Sequence, residues 1–336
     1  MFRPHTGSIL SPADACSFRE QEVSGTLLLS LHFQIKRILS FCVALLFAAM
    51  LACATAPKRE TVSAIQQLTD DAGRNVTLPA HVDRVITLAP NLTEIVFAIG
   101  ASDRLVGNTS YCDYPPAAKN VAKVGDTLHP SLERIIALKP QLVLISTASQ
   151  LETFTQQLQN QNIAVFVTDP HDLEGVFRSI EQVGQMLGRQ QQAASLVQQL
   201  RERTNSVEQA TKQTKPVRVF YQASGEPLYT AGHDAFVTDL IRRAGGISVT
   251  AGVPGAWPKF SNESALAAKP DAIILPTGGS MGAANATPAE ALRSSPAVQA
   301  GRVYKINDDH LARPGPRMVD GLEEMARALH PEAFKQ

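Results

Sequence analysis

The stretch Ser131-Leu-Glu133-Arg-Ile-Ile-Ala137-Leu-Lys139-Pro140 returns as Ser261-Asn-Glu263-Ser-Ala-Leu-Ala267-Ala-Lys269-Pro270, at a constant offset of 130 residues. Ser, Glu, Ala, Lys and Pro recur at matching places, and each copy runs into an apolar segment, Gln141–Ile145 and Ala272–Leu275. In both copies a serine stands where a helix N-cap belongs and a glutamate falls in the first turn. A repeat this widely spaced marks duplicated domains rather than a solenoid. From the residues alone Glu133 and Glu263 have two readings. Each complements the positive end of a helix dipole, worth about 0.3–1 kcal/mol, or the two form a matched pair of exposed docking charges. The first explains either glutamate singly but not why both lobes present one at the same place; the residues alone leave the two readings even.

Outward from the repeat, strands and helices alternate. Val85–Leu88 reads as a strand, Leu92–Ile99 as a helix stopped by Gly100, Leu105–Gly107 as a strand, Leu132–Leu138 as a helix and Ala164–Val167 as a strand. A helix is expected from Asp172 to Leu187, ending at Gly188. A second follows, with Ala193, Val197, Leu200, Val207 and Ala210 along one face, until Lys215-Pro216. About 24 residues at 1.5 Å each make a rod of roughly 36 Å. Beyond it the alternation restarts with Val217–Gln222, a helix at Ala235–Ala244 stopped by Gly245-Gly246, and the strand at Ala272–Leu275. The expected fold class is α/β, two similar lobes with parallel sheets joined by a single long helix. The lobes are placed at residues 69–171 and 215–336, with interlobe helices over 172–214.

Lys36-Arg37 precede an apolar run from Ile38 to Ala52 that ends at Leu51-Ala52-Cys53. A basic flank, about fifteen apolar residues and small residues at the end describe a secretory signal over 36–53, too short for a comfortable membrane span. Its end resembles the lipobox of bacterial lipoproteins, which makes Cys53 the lipidated residue, although Met50 departs from the pattern. Cleavage after Ala54-Thr55-Ala56 would instead leave Pro57 first. Residues 54–68 read as a solvated tether, and 1–35 as an unstructured extension or a misplaced start. A periplasmic or cell-envelope location, with a lipid anchor, is the expectation.

Lys plus Arg and Asp plus Glu number 31 each, a balance that argues against a nucleic-acid partner. Apolar residues at 44% and charged residues at 18% exclude disorder throughout. Cys16, Cys42, Cys53 and Cys112 form no CxxC pair and no zinc spacing, which argues against a cysteine-held metal or disulfide framework. If Cys53 begins the mature chain, Cys112 is its only other thiol. The eight histidines are scattered, so no metal site is expected.

The lipobox, the glutamate repeat, Thr109-Ser110-Tyr111-Cys112-Asp113-Tyr114-Pro115-Pro116 and Val124-Gly125-Asp126 together resemble the solute-binding proteins of bacterial ABC importers for cobalamin, haem and ferric siderophores. The resemblance covers about residues 69–332. It implies two Rossmann-like lobes joined by one long helix, a ligand cleft between them, small closure on binding and a receptor acting as a monomer. It also implies that Glu133 and Glu263 meet arginines on the ABC permease, whose cytoplasmic partner is the ATPase. The cleft aromatics of the cobalamin-binding members fall on Tyr111 and Trp257, and their acidic–arginine loop on Asp309 to Arg313, with Arg317 just beyond. A corrinoid is a flat macrocycle fringed with amides, so aromatic faces suit its plane and Asp, Tyr and Arg its edge. The residues alone leave Trp257 open to a core role, Arg313 and Arg317 to a solvated surface pair, and Asp126 and Asp309 to turn capping. Other ring-stacking positions of the family fall on Thr127, Ser146 and Ala223, none aromatic, which leaves room for a siderophore or for haem. Haem iron would need a ligand such as Tyr111, His129, His233 or His310. The implied function is capture of a small-molecule metal chelate, a corrinoid such as cobalamin first and a ferric siderophore or haem as the alternative, for delivery to the permease, with no catalytic cofactor and no chemistry.

A rival from another class rests on Gly278-Gly279-Ser280-Met281-Gly282, which matches G-x-S-x-G after an apolar strand, with Asp308, Asp309, His310 and His330 downstream. An exported serine hydrolase would need a helix directly after Ser280. Gly282-Ala-Ala-Asn285-Ala follows instead, and the next helix is expected at Thr287-Pro288, an N-cap and N1 pair.

Overall fold

The chain builds the same parallel sheet twice. In the first lobe β3 (Val85–Thr87), β4 (Leu105–Asn108), β5 (Leu142–Ile145) and β6 (Ala164–Val167) lie in the order β4-β3-β5-β6. In the second, β7 (Val217–Gly225), β9 (Gly246–Ser248), β10 (Ala272–Thr277) and β11 (Val303–Asn307) lie in the order β9-β7-β10-β11. The register repeats too, with Val85 opposite Leu142 and Val219 opposite Ala272. In each sheet the second strand goes to one side of the first and the third and fourth to the other. That reversal opens a crevice outside the C-terminal ends of the strands. The structure, a computed structural model, describes residues 65–146, 152–278 and 286–335. The expected signal segment over 36–53, Cys53 and Ser280 lie outside the described residues.

Strands β3 and β5 are buried along their whole length, the pattern of parallel strands covered on both faces. Val85, Leu142, Leu144 and Phe166 face a core that runs through both lobes, whereas Ile86, Val143, Ile145 and Val165 face a smaller cluster with Ile135. In the second lobe Phe220, Ile273 and Leu275 form the matching outer cluster with Ala265. An antiparallel hairpin of β1 (Ile65–Thr69) and β2 (Asn75–Pro79) precedes the first sheet. β8 (Leu228–Thr230) adds to β7 antiparallel.

The lobes are joined by α4 (Leu173–Met186) and α5 (Gln190–Thr211), numbered after α1 (Pro90–Ala98), α2 (Leu132–Ala137) and α3 (Glu152–Gln159). At 22 residues α5 spans about 33 Å. It buries Ala193, Val197, Leu200, Thr204, Val207 and Thr211, in steps of four and three. Ala210, expected on that face, is half-buried, and Thr211 takes its place. The two threonines are tolerated there because their hydroxyls donate to the carbonyls of Leu200 and Val207 one turn back. Behind the crevice, Arg243 on α6 (Phe236–Arg243) binds Asp239 at 2.8 Å and Glu208 of α5 at 2.7 Å, and Asp239 accepts from the Leu173 amide of α4. Arg203 of α5 holds Asp320 and Glu323 of α10 (Met318–Leu329) at 2.6 and 2.8 Å. Those pairs fasten the spine to the second lobe; Arg104, which donates to the Leu187 carbonyl at 2.8 Å, and Arg189, which donates to the Gly100 carbonyl at 3.1 Å, fasten it to the first.

The helix expected at Thr287-Pro288 does not form. Residues 286–289 are non-helical and lead to a 3-10 turn, Glu290–Leu292, before α8 (Pro296–Gln299). Gln222 of β7 donates to the Thr287 carbonyl at 2.9 Å and accepts from the Ala289 amide at 2.8 Å. Those tertiary hydrogen bonds hold backbone groups that a first helical turn would otherwise direct along its axis.

Candidate functional site at the interlobe crevice

Loops leave the C-terminal ends of the strands in both sheets, and three of them meet. From the first lobe come α1, directly after β3, and the loop after β4. From the second comes α9 (Asp308–Ala312) with the loop to Arg317, directly after β11. Glu94 on α1 accepts from Arg317 Nε at 2.9 Å and Nη2 at 2.6 Å, and from Arg313 Nη1 at 3.3 Å. Asp113, after β4, takes Arg313 Nη1 at 2.8 Å, while Asp309 lies 3.0 Å from Arg313 Nη2 and 3.8 Å from Arg317. The Arg317 guanidinium covers the Tyr114 ring at 4.0 Å, and Asn91 donates to the Pro314 carbonyl at 3.2 Å. The C-terminal edges of the two sheets therefore face each other across an ionic floor, where a binding crevice belongs.

The floor is driest at Glu94. The Glu94 side chain is only 2% exposed, and burial alone would disfavour its charge; two guanidiniums compensate it. Burial would raise the Asp113 carboxyl, but the Arg313 hydrogen bond and charge, with Arg317 behind, hold it below the ordinary value. Arg317 is held more firmly protonated by Glu94 against the opposing effect of burial. Asp308 is pushed up, by burial first and by Asp309 next to it second.

Aromatic faces flank this floor. Tyr111 and Tyr114 are exposed on the β4 loop, and Trp257 is 41% exposed on the loop after β9. Trp257 rests on Tyr221 of β7 at 6.0 Å between centroids and meets Phe236 edge-on at 5.9 Å. The Tyr221 phenol is buried and feels the Asp308 charge, both of which keep it protonated, so the Trp257 cluster adjoins the acidic end of α9. The Trp257 loop approaches so closely that a Cβ on Gly232 would stand 2.2 Å from the Gly255 carbonyl oxygen. A second backbone match accompanies the repeat: Gly125 and Gly255, 130 residues apart, both have positive φ, +112° and +88°.

Of the residues singled out from the sequence, Asp309, Arg313 and Arg317 come together, with Tyr111 on the loop of their partner Asp113. Trp257 sits on the same edge of its own lobe. Arg313 is not a solvated surface residue: it is 6% exposed. Asp126 caps a turn, accepting from the Leu128 and His129 amides at 2.8 and 2.6 Å, which hold its carboxyl low. Glu94, Asp113 and Tyr114 were not assigned from the sequence, although the last two lie inside the Thr109–Pro116 motif. Glu94 carries no sequence signal beyond being the one acid on an apolar helix.

Glu133 and Glu263 occupy the first turns of α2 and of α7 (Asn262–Ala267), both exposed, with no ion-pair partner among the described residues. Ser131 and Ser261 cap the two helices. Arg84 donates to the Leu138 carbonyl at 2.5 Å, and Arg218 to the Ala268 carbonyl at 2.7 Å, closing the opposite end in both lobes. Lys139 and Lys269 then turn left-handed, at φ +47° and +44°. Each helix feeds a strand parallel to its neighbours, so its first turn lies at the C-terminal edge, the side from which the crevice loops emerge.

The residues a hydrolase would draw on are dispersed. Asp309 serves the arginines, His310 lies 2.8 Å from Glu324, and His330 is buried at the N-terminal edge of the second sheet against the Gly245 carbonyl. Gly278, which opens the G-x-S-x-G run, follows the other end of β10.

Twin α/β lobes on a stiff spine, with converging polar and aromatic loops, define a solute receptor. The sequence profile of the periplasmic binding protein family matches residues 85–310, and the chain belongs to that family. An uncharacterised ABC transporter substrate-binding lipoprotein of Bacillus subtilis, YvrC, is 31% identical over 316 residues, spanning 90% of this chain and 99% of the relative. The vitamin B12-binding protein of Photorhabdus laumondii is 30% identical over 249 residues, spanning 74% of this chain and 88% of the relative. The periplasmic vitamin B12-binding protein BtuF of Vibrio cholerae superposes with a TM-score of 0.65 at 27% identity, over 76% of this chain and 99% of that one. The periplasmic haem-binding protein RhuT from Roseiflexus superposes with a TM-score of 0.67 at 25% identity, over 75% and 99%. The chain is thus a substrate-binding protein of the ABC-importer group that handles B12, haem and siderophores; its relatives are solute-binding proteins rather than enzymes. No helix among the described residues is long and apolar enough to cross a membrane.

Proposed function

We propose that the chain captures a corrinoid, cobalamin or a close relative, between its lobes and delivers it to an ABC permease and its ATPase. The observation that carries this reading is the polar floor of Glu94, Asp113, Asp309, Arg313 and Arg317, flanked by exposed Tyr111, Tyr114 and Trp257. Aromatic rims suit a flat macrocycle, and a hydrogen-bonding floor rich in carboxylates suits a fringe of amides. Tyr111 and Trp257 flank the ring, while Asp309 and Arg313, with Arg317 behind them, address its edge. Haem would need an iron ligand, for which Tyr111 is exposed and His129, His310 and His233 each keep Nε2 while Nδ1 faces a carboxylate at 3.3, 2.8 and 3.7 Å. The preference for a corrinoid rests on the floor rather than on the lack of such a ligand.

Glu133 and Glu263 are the permease-docking charges, supported by their exposure and their twin scaffolds on the crevice side of each lobe. Lipidation of Cys53 would keep the receptor at the membrane surface. The reading is tested by incubating purified protein with cyanocobalamin, haemin, and ferric catecholate or hydroxamate chelates, desalting, and recording the absorption spectrum. Retained corrinoid absorbance is the expected result; retention of haemin or of a ferric chelate alone would replace the ligand assignment.

A further inference from the structure

The charge balance of the crevice floor deepens the corrinoid reading and rests on it. Two guanidiniums, Arg313 and Arg317, meet three carboxylates, Glu94, Asp113 and Asp309, so these five side chains carry one negative charge in excess. Unpaired, the arginines would be a ready grip for propionate, catecholate or carboxylate groups, which guanidinium forks bind in bidentate fashion. Glu94 already occupies that role. It comes from the opposite lobe, both its oxygens bind Arg317, and its side chain is 2% exposed. An anionic ligand must either displace it, leaving a buried carboxylate without its counter-charge, or sit against the negative surplus. Either route is unfavourable. An amide meets neither penalty, because its N–H groups donate to carboxylate oxygens.

We propose that Glu94 sets ligand specificity by charge: by neutralising Arg313 and Arg317 from across the crevice, it makes the site accept neutral or cationic amide-fringed chelates and reject anionic ones. Glu94 acts through the two arginines and need not touch the ligand. It is a positioning residue, and its signature is a specificity ratio, which a purely structural role would leave alone.

The test compares equilibrium binding of cyanocobalamin with that of its side-chain monocarboxylates, where one amide becomes a carboxylate at nearly unchanged shape. The wild type is expected to prefer the amide form by about tenfold or more, and Glu94→Gln to reduce that ratio by about tenfold. A wild-type ratio near one, or a ratio unchanged in Glu94→Gln, overturns the proposal. Should Glu94→Gln not fold, Asp113→Asn removes one negative charge at a side chain that is 40% exposed, and the same narrowing is required of it. If the wild type binds no cyanocobalamin, the corrinoid reading has failed. The charge filter is then read on cationic ferrioxamine B against an anionic ferric tris-catecholate. Preference for the cation that narrows in Glu94→Gln upholds the role of Glu94; equal binding, preference for the anion, or no binding of either overturns it.

Discussion

Glu94 and Arg317 grip each other across the two lobes: a carboxylate from the first helix of one lobe takes two hydrogen bonds, at 2.9 and 2.6 Å, from a guanidinium at the end of the other. Both side chains are nearly dry, at 2% and 12% exposure, so breaking the pair from one side strands a buried charge. Glu94→Ala is expected to destabilise the protein by about 3–5 kcal/mol, and Arg317→Ala by a similar amount. The double variant should cost less than their sum, because the second truncation removes the stranded partner. Urea unfolding of all three proteins checks this; strict additivity would show that the pair is not coupled.

Trp257 is the only tryptophan in the chain, and it rests half-exposed on Tyr221 and Phe236. Its fluorescence therefore reports on the crevice alone. A corrinoid against that face is expected to quench most of the emission, and Trp257→Ala to weaken binding by about tenfold, the loss of one stacking contact. Saturable ligand binding with unaltered tryptophan emission would move the ligand elsewhere.

The acidic start of α9 predicts an unusual pH response. The Asp308 carboxyl is raised by burial and by Asp309, so between the ordinary value of 3.8 and its folded value the native state holds more protons than the unfolded chain. Its contribution to stability therefore falls as pH rises through that window and stays lower at neutral pH. Asp308→Asn is expected to raise the Tm at pH 7 and to leave it nearly unchanged at pH 3. Asp113 has the opposite sign: lowered by Arg313, it stabilises above 3.8, and that contribution is lost as pH falls through its folded value. Thermal melts of Asp308→Asn and Asp113→Asn from pH 3 to 8 separate the two.

Glu133 and Glu263 have no partner to lose among the described residues, so reversing them costs the fold little. Glu133→Lys with Glu263→Lys is expected to abolish uptake in cells while leaving the Tm within a few degrees, and ligand affinity within about twofold, of the wild type. Normal transport by that double variant would remove the docking assignment.

Local chemistry accounts for what the amino-acid order alone made legible. The Ser-x-Glu starts, the Lys-Pro ends and the apolar strands of 142–145 and 272–277 obey rules acting within one turn or one strand, so the duplicated halves and the stripe on α5 are visible in the chain. Where a distant group competes, local rules fail: Gln222 takes the backbone at Thr287 and Ala289, and no helix starts at Pro288. Tyr111, Trp257, Asp309, Arg313 and Arg317 were reached through a family pattern, but what surrounds them depends on how the lobes meet. Glu94 shows the boundary most clearly. Within its helix it is a single acid among apolar neighbours, and nothing within a turn of it marks a role. Its partners lie 219 and 223 residues away, and only the closure of two sheet edges against one another turns it into the counter-charge of both arginines.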